Sequence, residues 1–233
     1  MSLQVNPSIL RRLKRYAIPV TTPAVPNLGK IPLNAIEFIT GELLGDGCLM
    51  VDKRHKEVSS SKYVHSSKHK YIEWLSSVLA TWGVEQVGKT NKLALKKGQA
   101  YSYQSRFYRD LLPLRELFYP EGKKVLPQSL RLTPIIVRQW YIGDGSLIFS
   151  HNKYPAVMLH TLGFTKKEVY FLSTLVSQEI GVGVTTNKCD QGLRIRIPAK
   201  DVEKFLGYIG PCPEEIVDVY GYKWNTKKKK GRC

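Results

Sequence analysis

Two aspartates, Asp46 and Asp144, stand in the same tripeptide: Gly45-Asp46-Gly47 and Gly143-Asp144-Gly145. Each follows an apolar segment with helical spacing. A carboxylate at a helix C-terminus meets the negative pole of the macrodipole, which costs roughly 0.3–1 kcal/mol at an exposed site. Two such carboxylates brought together repel unless a proton or a cation sits between them. Oxygen donors of this kind suit Mg²⁺, the usual ion at phosphate chemistry. One Gly-Asp-Gly reads as a turn with a solvated side chain, whereas two at equivalent places in a repeat read as a site.

Lysines recur at matching distances. Lys124 follows Asp46 by 78 positions, and Lys223 follows Asp144 by 79. A lysine beside a scissile phosphate can neutralise developing charge or hold a water. Solvated surface or plain phosphate contact is the alternative for Lys123, Lys124 and Lys223. Lys124 fits the spacing best, and Lys123 is its neighbour.

The elements that would position these residues also repeat. A first helix runs over Pro32–Leu44, and its counterpart opens on Thr133-Pro134, a cap followed by proline at the first helical position. The glycines after each periodic run read as helix stops that tolerate a left-handed backbone. Strand-like pieces follow at Cys48–Val51 and Lys62–His65, and again at Ser146–Phe149 and Ala156–His160. Helices with one apolar face come next, Lys70–Trp82 and Thr165–Ile180. Two more strands and a closing helix complete each half. These are Lys92–Lys96, Tyr101–Arg106 and Tyr108–Tyr119, then Val184–Lys188, Leu193–Ile197 and Ala199–Tyr208. The pattern is α-β-β-α-β-β-α, twice. Residues 1–30 read as an N-terminal extension, 31–127 as the first half, 128–225 as the second and 226–233 as a basic tail.

Charge points to the partner. Lys plus Arg is 36 against 19 acidic residues, a net charge of +17, which a polyanion would offset. On the strands, Lys92 and Lys96 share a parity, as do Ser102, Gln104 and Arg106. Arg194 and Arg196 alternate with Ile195 and Ile197, so the arginines face out and the isoleucines face a core. With Lys188, these residues could line a sheet surface for duplex DNA, because a β-ribbon fits the major groove and Arg or Lys pairs with guanine edges. Tyr101 and Tyr103 read as core. The histidines (His55, His65, His69, His151, His160) read as surface or strand residues. No Walker loop or GxGxxG turn supports a nucleotide cofactor. No apolar run is long enough for a membrane span, and the first 20 residues lack the apolar core of a secretory leader. The four cysteines show neither zinc spacing nor a disulfide framework, which suits reduced thiols inside a cell.

The segments Ile39–Gly47 and Val137–Gly145 resemble two LAGLIDADG motifs, and with Lys124-Val125-Leu126-Pro127 the similarity covers roughly residues 30 to 225. The chain thus resembles the LAGLIDADG homing endonucleases of the monomeric, two-motif, intron-encoded (archaeal-like) type. The resemblance implies an α+β fold, a pseudo-two-fold pair of αββαββα units whose two antiparallel sheets form a DNA-binding saddle. It implies Mg²⁺ held by Asp46 and Asp144 with the carbonyls of Gly45 and Gly143, and Lys124 and Lys223 near the bound waters. The activity implied is double-strand cutting across the minor groove of a long target, leaving short 3′ overhangs. A monomer acting on double-stranded DNA in the cytoplasm or an organelle follows. An RNA-binding intron maturase on the same scaffold is the alternative. The halves differ in places: Gln139 stands where half one has Gly41, and no proline follows Lys223.

Overall fold

The computed structural model describes residues 31–56, 59–65, 69–88, 90–95, 98–150, 153–190 and 192–227, with backbone alone at 61–65, 91–95 and 98–99. The N-terminal extension, Lys96, His151 and most of the basic tail lie outside the described residues. The chain divides into two compact units between Arg131 and Leu132.

In the first unit, α1 (Leu33–Leu44) leads into β1 (Cys48–Val51) and β2 (Ser59–His65). Next come α2 (His69–Thr81), β3 (Asn91–Leu95), β4 (Gly98–Gln104), a 3-10 turn (Arg109–Leu111) and α3 (Leu112–Phe118). The second unit repeats the order with α4 (Pro134–Asp144), β5 (Gly145–Ser150), β6 (Tyr154–His160), α5 (Lys166–Ile180), β7 (Thr185–Cys189), β8 (Gly192–Ile197), a 3-10 turn (Ala199–Asp201) and α6 (Val202–Ile209). A short coda of helical turns follows, including α7 (Val217–Tyr220) and a 3-10 turn at Gly221–Trp224. Each unit holds one four-stranded antiparallel sheet, ordered β1-β2-β4-β3 and β5-β6-β8-β7. The expected αββαββα order is present in both units, each closing helix being entered through a 3-10 turn.

Pleat alternation decides which face of each sheet packs. In the second unit Val157, Leu159, Ile195 and Ile197 are fully buried. Their registers pair Val157 with Ile197 and Leu159 with Ile195, so they share one face. Full burial of side chains this size stabilises by roughly 1.5–3 kcal/mol each before entropy is counted. Helix α5 turns Val169, Leu172, Val176 and Ile180 inward at helical spacing. It starts with a capping box between Thr165 and Glu168 and stops at Gly181, whose φ of 73° is left-handed. In the first unit Phe38 of α1 packs on Trp74 and Trp82, with ring centroids 5.7 and 5.6 Å apart.

The Gly-Asp-Gly segments end their helices differently from the sequence expectation. Gly45 caps α1 at φ −111°, and Gly145 caps α4 at φ −95°, so neither is left-handed. Helix α4 runs on through Gly143 and Asp144, and β5 starts at once. A chain passing directly from helix to strand needs an extended residue, which explains the Gly145 angle, whereas in the first unit Gly45, Asp46 and Gly47 make a short turn before β1. Glycine is required at 145 for space instead. A Cβ there would overlap Cδ2 of Tyr141 and lie 2.5 Å from its carbonyl oxygen. Because one of those atoms is backbone, Gly145→Ala is expected to destabilise by about 1–3 kcal/mol. Urea unfolding followed by far-UV circular dichroism measures it; a midpoint equal to that of the parent chain would refute the steric account.

Candidate active site and nucleic-acid face

In the first unit Asp46 sits just beyond α1 and is exposed. Lys124, 78 positions later, returns to this helix end. Its Nζ donates to the carbonyl oxygens of Gly45 at 3.1 Å and Gly47 at 3.2 Å, the residues that flank Asp46. Lys124 is half-buried, while Lys123 is exposed, so Lys124 is the one of the pair that meets the motif. Helix ends leave carbonyls without intrahelical partners, and a cation there complements the dipole.

In the second unit Asp144 is the last residue of α4 and is half-buried. Lys223 also returns to its helix end, but to carbonyls three and two residues ahead of Asp144. Its Nζ donates to the carbonyl oxygens of Tyr141 at 3.1 Å and Ile142 at 2.7 Å. The Tyr141 hydroxyl in turn donates to the Lys223 carbonyl at 2.6 Å. Lys223 is 4% exposed, with its ammonium 5.0 Å from the Tyr220 ring centroid and 5.7 Å from that of Tyr141. Tyr141 packs edge-on against Phe205 and Trp224, which ties α6 and the coda to the motif helix.

The oxygens available to a metal are hard donors. Among the described residues no group of three or more His, Cys, Asp or Glu gathers as a metal site. Asp46 and Asp144, the Gly45 carbonyl beside Lys124, and the Gly143 carbonyl in the last turn of α4 are the donors these helix ends carry. At each helix end taken by itself, one carboxylate and one backbone carbonyl suit Mg²⁺, which keeps several waters and takes one or two carboxylates together with phosphate oxygens.

Sequence reasoning left several polar partners unfound. Glu42, buried inside α1, accepts from the Tyr71 hydroxyl of α2. Its only sequence signal is an acid within an apolar helix face. Gln139 of α4 is fully buried, and neither amide atom has a hydrogen-bond partner among the described residues. Ser146 Oγ and His160 Nε2 lie 3.2 Å apart.

The sheet registers sort the residues expected to face DNA. Arg196 pairs with Met158 and Thr185, and Arg194 with His160 and Asn187. Both arginines are half-buried on the face opposite Ile195 and Ile197. Lys188 pairs with Leu193, which puts it on the Ile195 side, exposed near the strand end. In the first unit Ser102 is buried and Gln104 half-buried, on the same side of β4. The β3 position opposite Ser102 is Asn91, while Lys92 stands opposite Tyr101. Arg106 lies past the end of β4 and bridges Glu85 at 2.9 Å, both side chains being largely exposed. Tyr103 is fully buried, as expected of core, and Tyr101 is half-buried against the His69 ring.

His160 carries the electrostatics of the second face. Burial first, then the charges of Arg194 and Lys223, hold its pKa below the usual histidine value. The folded state therefore resists protonation of His160 more than the unfolded chain does. Its contribution to stability is fully present above about pH 6.5 and is lost as pH falls from there through the lowered folded value. Arg194→Gln is expected to raise the His160 pKa toward about 6.5. Imidazole proton shifts followed by NMR through the titration check this; an unchanged midpoint would remove Arg194 as a cause.

The model of the LAGLIDADG DNA endonuclease family matches residues 36–205, from the first motif helix to the last helix of the second repeat. The chain belongs to the LAGLIDADG DNA endonuclease family. An uncharacterised protein of Methanocaldococcus jannaschii is 28% identical over 197 residues, covering 80% of this chain and 75% of that protein. The cytochrome b mRNA maturase bI2 of Saccharomyces cerevisiae is 26% identical over 179 residues, covering 70% of this chain and 40% of the maturase. Among solved structures, the homing endonuclease I-WcaI bound to its DNA recognition sequence superposes with a TM-score of 0.71 at 21% identity, covering 98% of this chain and 97% of that one. The likeness in fold of this LAGLIDADG protein to I-WcaI thus extends over both repeats. Among the described residues no helix is long and apolar enough to cross a membrane.

Proposed function

We propose that this chain is a site-specific, Mg²⁺-dependent double-strand DNA endonuclease that works as a monomer, each repeat supplying one acidic half of the chemistry. One observation carries the reading. Each repeat carries an aspartate at or just beyond the end of its motif helix and brings a lysine back to backbone carbonyls at that helix end. Membership of the family supports it.

In this reading Asp46 and Asp144, with the carbonyls of Gly45 and Gly143, hold the divalent ions. When bound, such ions supply a water of lowered pKa and neutralise charge on the phosphate. The chain's own residues orient the reaction. Lys124 fixes the two peptides around Asp46, and its half-exposed ammonium adds positive charge where a phosphate would approach. Arg194 and Arg196, with Ser102, Gln104 and the exposed Arg106 just past β4, contact duplex DNA through phosphates and base edges, whereas Lys92 and Lys188 stand on the opposite sheet faces and would not join them. The cut crosses the minor groove and leaves short 3′ overhangs, as the family resemblance implies, and intron homing would be its use. The seat of action is an intracellular compartment with access to DNA.

The test begins with duplexes retained by the protein from a randomised library in Ca²⁺ buffer. These are cloned into a supercoiled plasmid and given Mg²⁺. The expected product is linear DNA with short 3′ overhangs at one position, absent in EDTA. A second reading, an RNA-binding maturase, is favoured by the similarity to the yeast maturase. Intron splicing stimulated with every plasmid left intact would select it.

A further inference from the structure

We infer that the two motif lysines do different work: Lys223 is a positioning residue, a buried clasp on the end of α4, while Lys124 alone stands where it can act at a phosphate. The inference deepens the endonuclease reading above and rests on it for its consequence in cutting.

An ammonium has three N–H donors and no acceptor. Lys223 directs hydrogen bonds to Tyr141 and Ile142, residues inside the helix and ahead of Asp144. Its cation also lies over the Tyr220 ring, and water is nearly excluded from the side chain. The Tyr141 hydroxyl returns a bond to the backbone of Lys223, so helix and coda hold each other from both sides. A cation so engaged cannot exchange protons with a water beside a phosphate without leaving two carbonyls bare in a buried place. What it can do is keep the last turn of α4 from fraying, and Asp144 is the last residue of that turn. Lys124, by contrast, is half-buried and bonds to the peptides on either side of Asp46. The repeats are therefore chemically unequal at positions that the duplication made equivalent, and the two DNA strands should depend on lysine differently.

Melting and strand-resolved cutting are measured on the full chain and on Lys124→Met, Lys223→Met and Lys223→Gln, using the duplex selected in Ca²⁺ and labelled separately on each strand. Lys223→Met should lower Tm by at least about 5 °C, and Lys124→Met by no more than about 2 °C. Lys223→Gln, which keeps two amide donors without a charge, should recover part of the loss and carries the test if the Met variant does not fold. With Lys223 replaced, one strand should be cut slowly in scarce Mg²⁺, yet within about three-fold of the parent rate in excess Mg²⁺, with a parallel pH profile. With Lys124 replaced, excess Mg²⁺ should not restore the slowed strand. An unchanged Tm in both Lys223 variants, or a loss of cutting that Mg²⁺ cannot restore and that alters the pH profile, would overturn the clasp. If the parent chain cuts no duplex, the endonuclease reading falls by itself, and melting still decides whether Lys223 is a clasp.

Discussion

Asparagine in place of Asp46 or Asp144 is expected to lower double-strand cutting by more than about 10³-fold, with duplex affinity held within about three-fold. Asn keeps the shape and one carbonyl oxygen of the carboxylate but removes its charge. A hard divalent ion bound by few protein ligands loses much of its hold when one carboxylate goes. Asp46 is exposed beyond the helix, so its replacement leaves the packed core untouched. In the proposed reading affinity comes mainly from phosphate contacts made elsewhere on the protein, so it should survive. Linearised plasmid measured against time in Mg²⁺, beside gel-shift binding in Ca²⁺, reads both quantities. A doubly substituted chain that still linearises plasmid would show that these aspartates are not the centre of the chemistry.

Duplex affinity should fall by about 10³- to 10⁵-fold between 50 and 200 mM salt, if roughly 6–10 phosphates are contacted. The net charge of +17 favours such contacts, and each neutralised phosphate releases condensed counterions. The plot of log affinity against log salt should be straight, with a slope near −0.9 per phosphate. Arg196→Ala should flatten it by about one contact if that residue meets a phosphate, and leave it nearly parallel if it reads a base. Fluorescence anisotropy with a labelled duplex measures each slope. A salt-independent affinity would contradict binding through the basic strand faces.

Local pattern made most of the architecture legible. The helix at Thr165–Ile180 and the strand around Ile195 and Ile197 announced themselves through periods of 3.6 and 2, which need no knowledge of neighbours. Boundaries moved by one to three residues, as with β4, expected at Tyr101 and starting at Gly98. The motif glycines were misread for a physical reason. A left-handed stop is the common use of glycine after a helix, but in the second unit the chain enters a strand directly, and Gly145 is needed because Tyr141 occupies the space of a Cβ.

The duplication, the order of elements and the placement of one aspartate at each motif helix end were determined by the amino-acid sequence alone, because each depends on residues near one another along the chain. Tertiary structure decided the rest. It selected Lys124 over Lys123, since only a packed return of the chain specifies which of two neighbouring side chains meets the carbonyls of Gly45 and Gly47. Strand register set Lys188 on the opposite face from Arg194 and Arg196, because pairing with Leu193 rather than parity within β7 determines the side. The burial of Lys223 against Tyr141 likewise arises from contacts between segments about 80 positions apart, which no periodicity encodes.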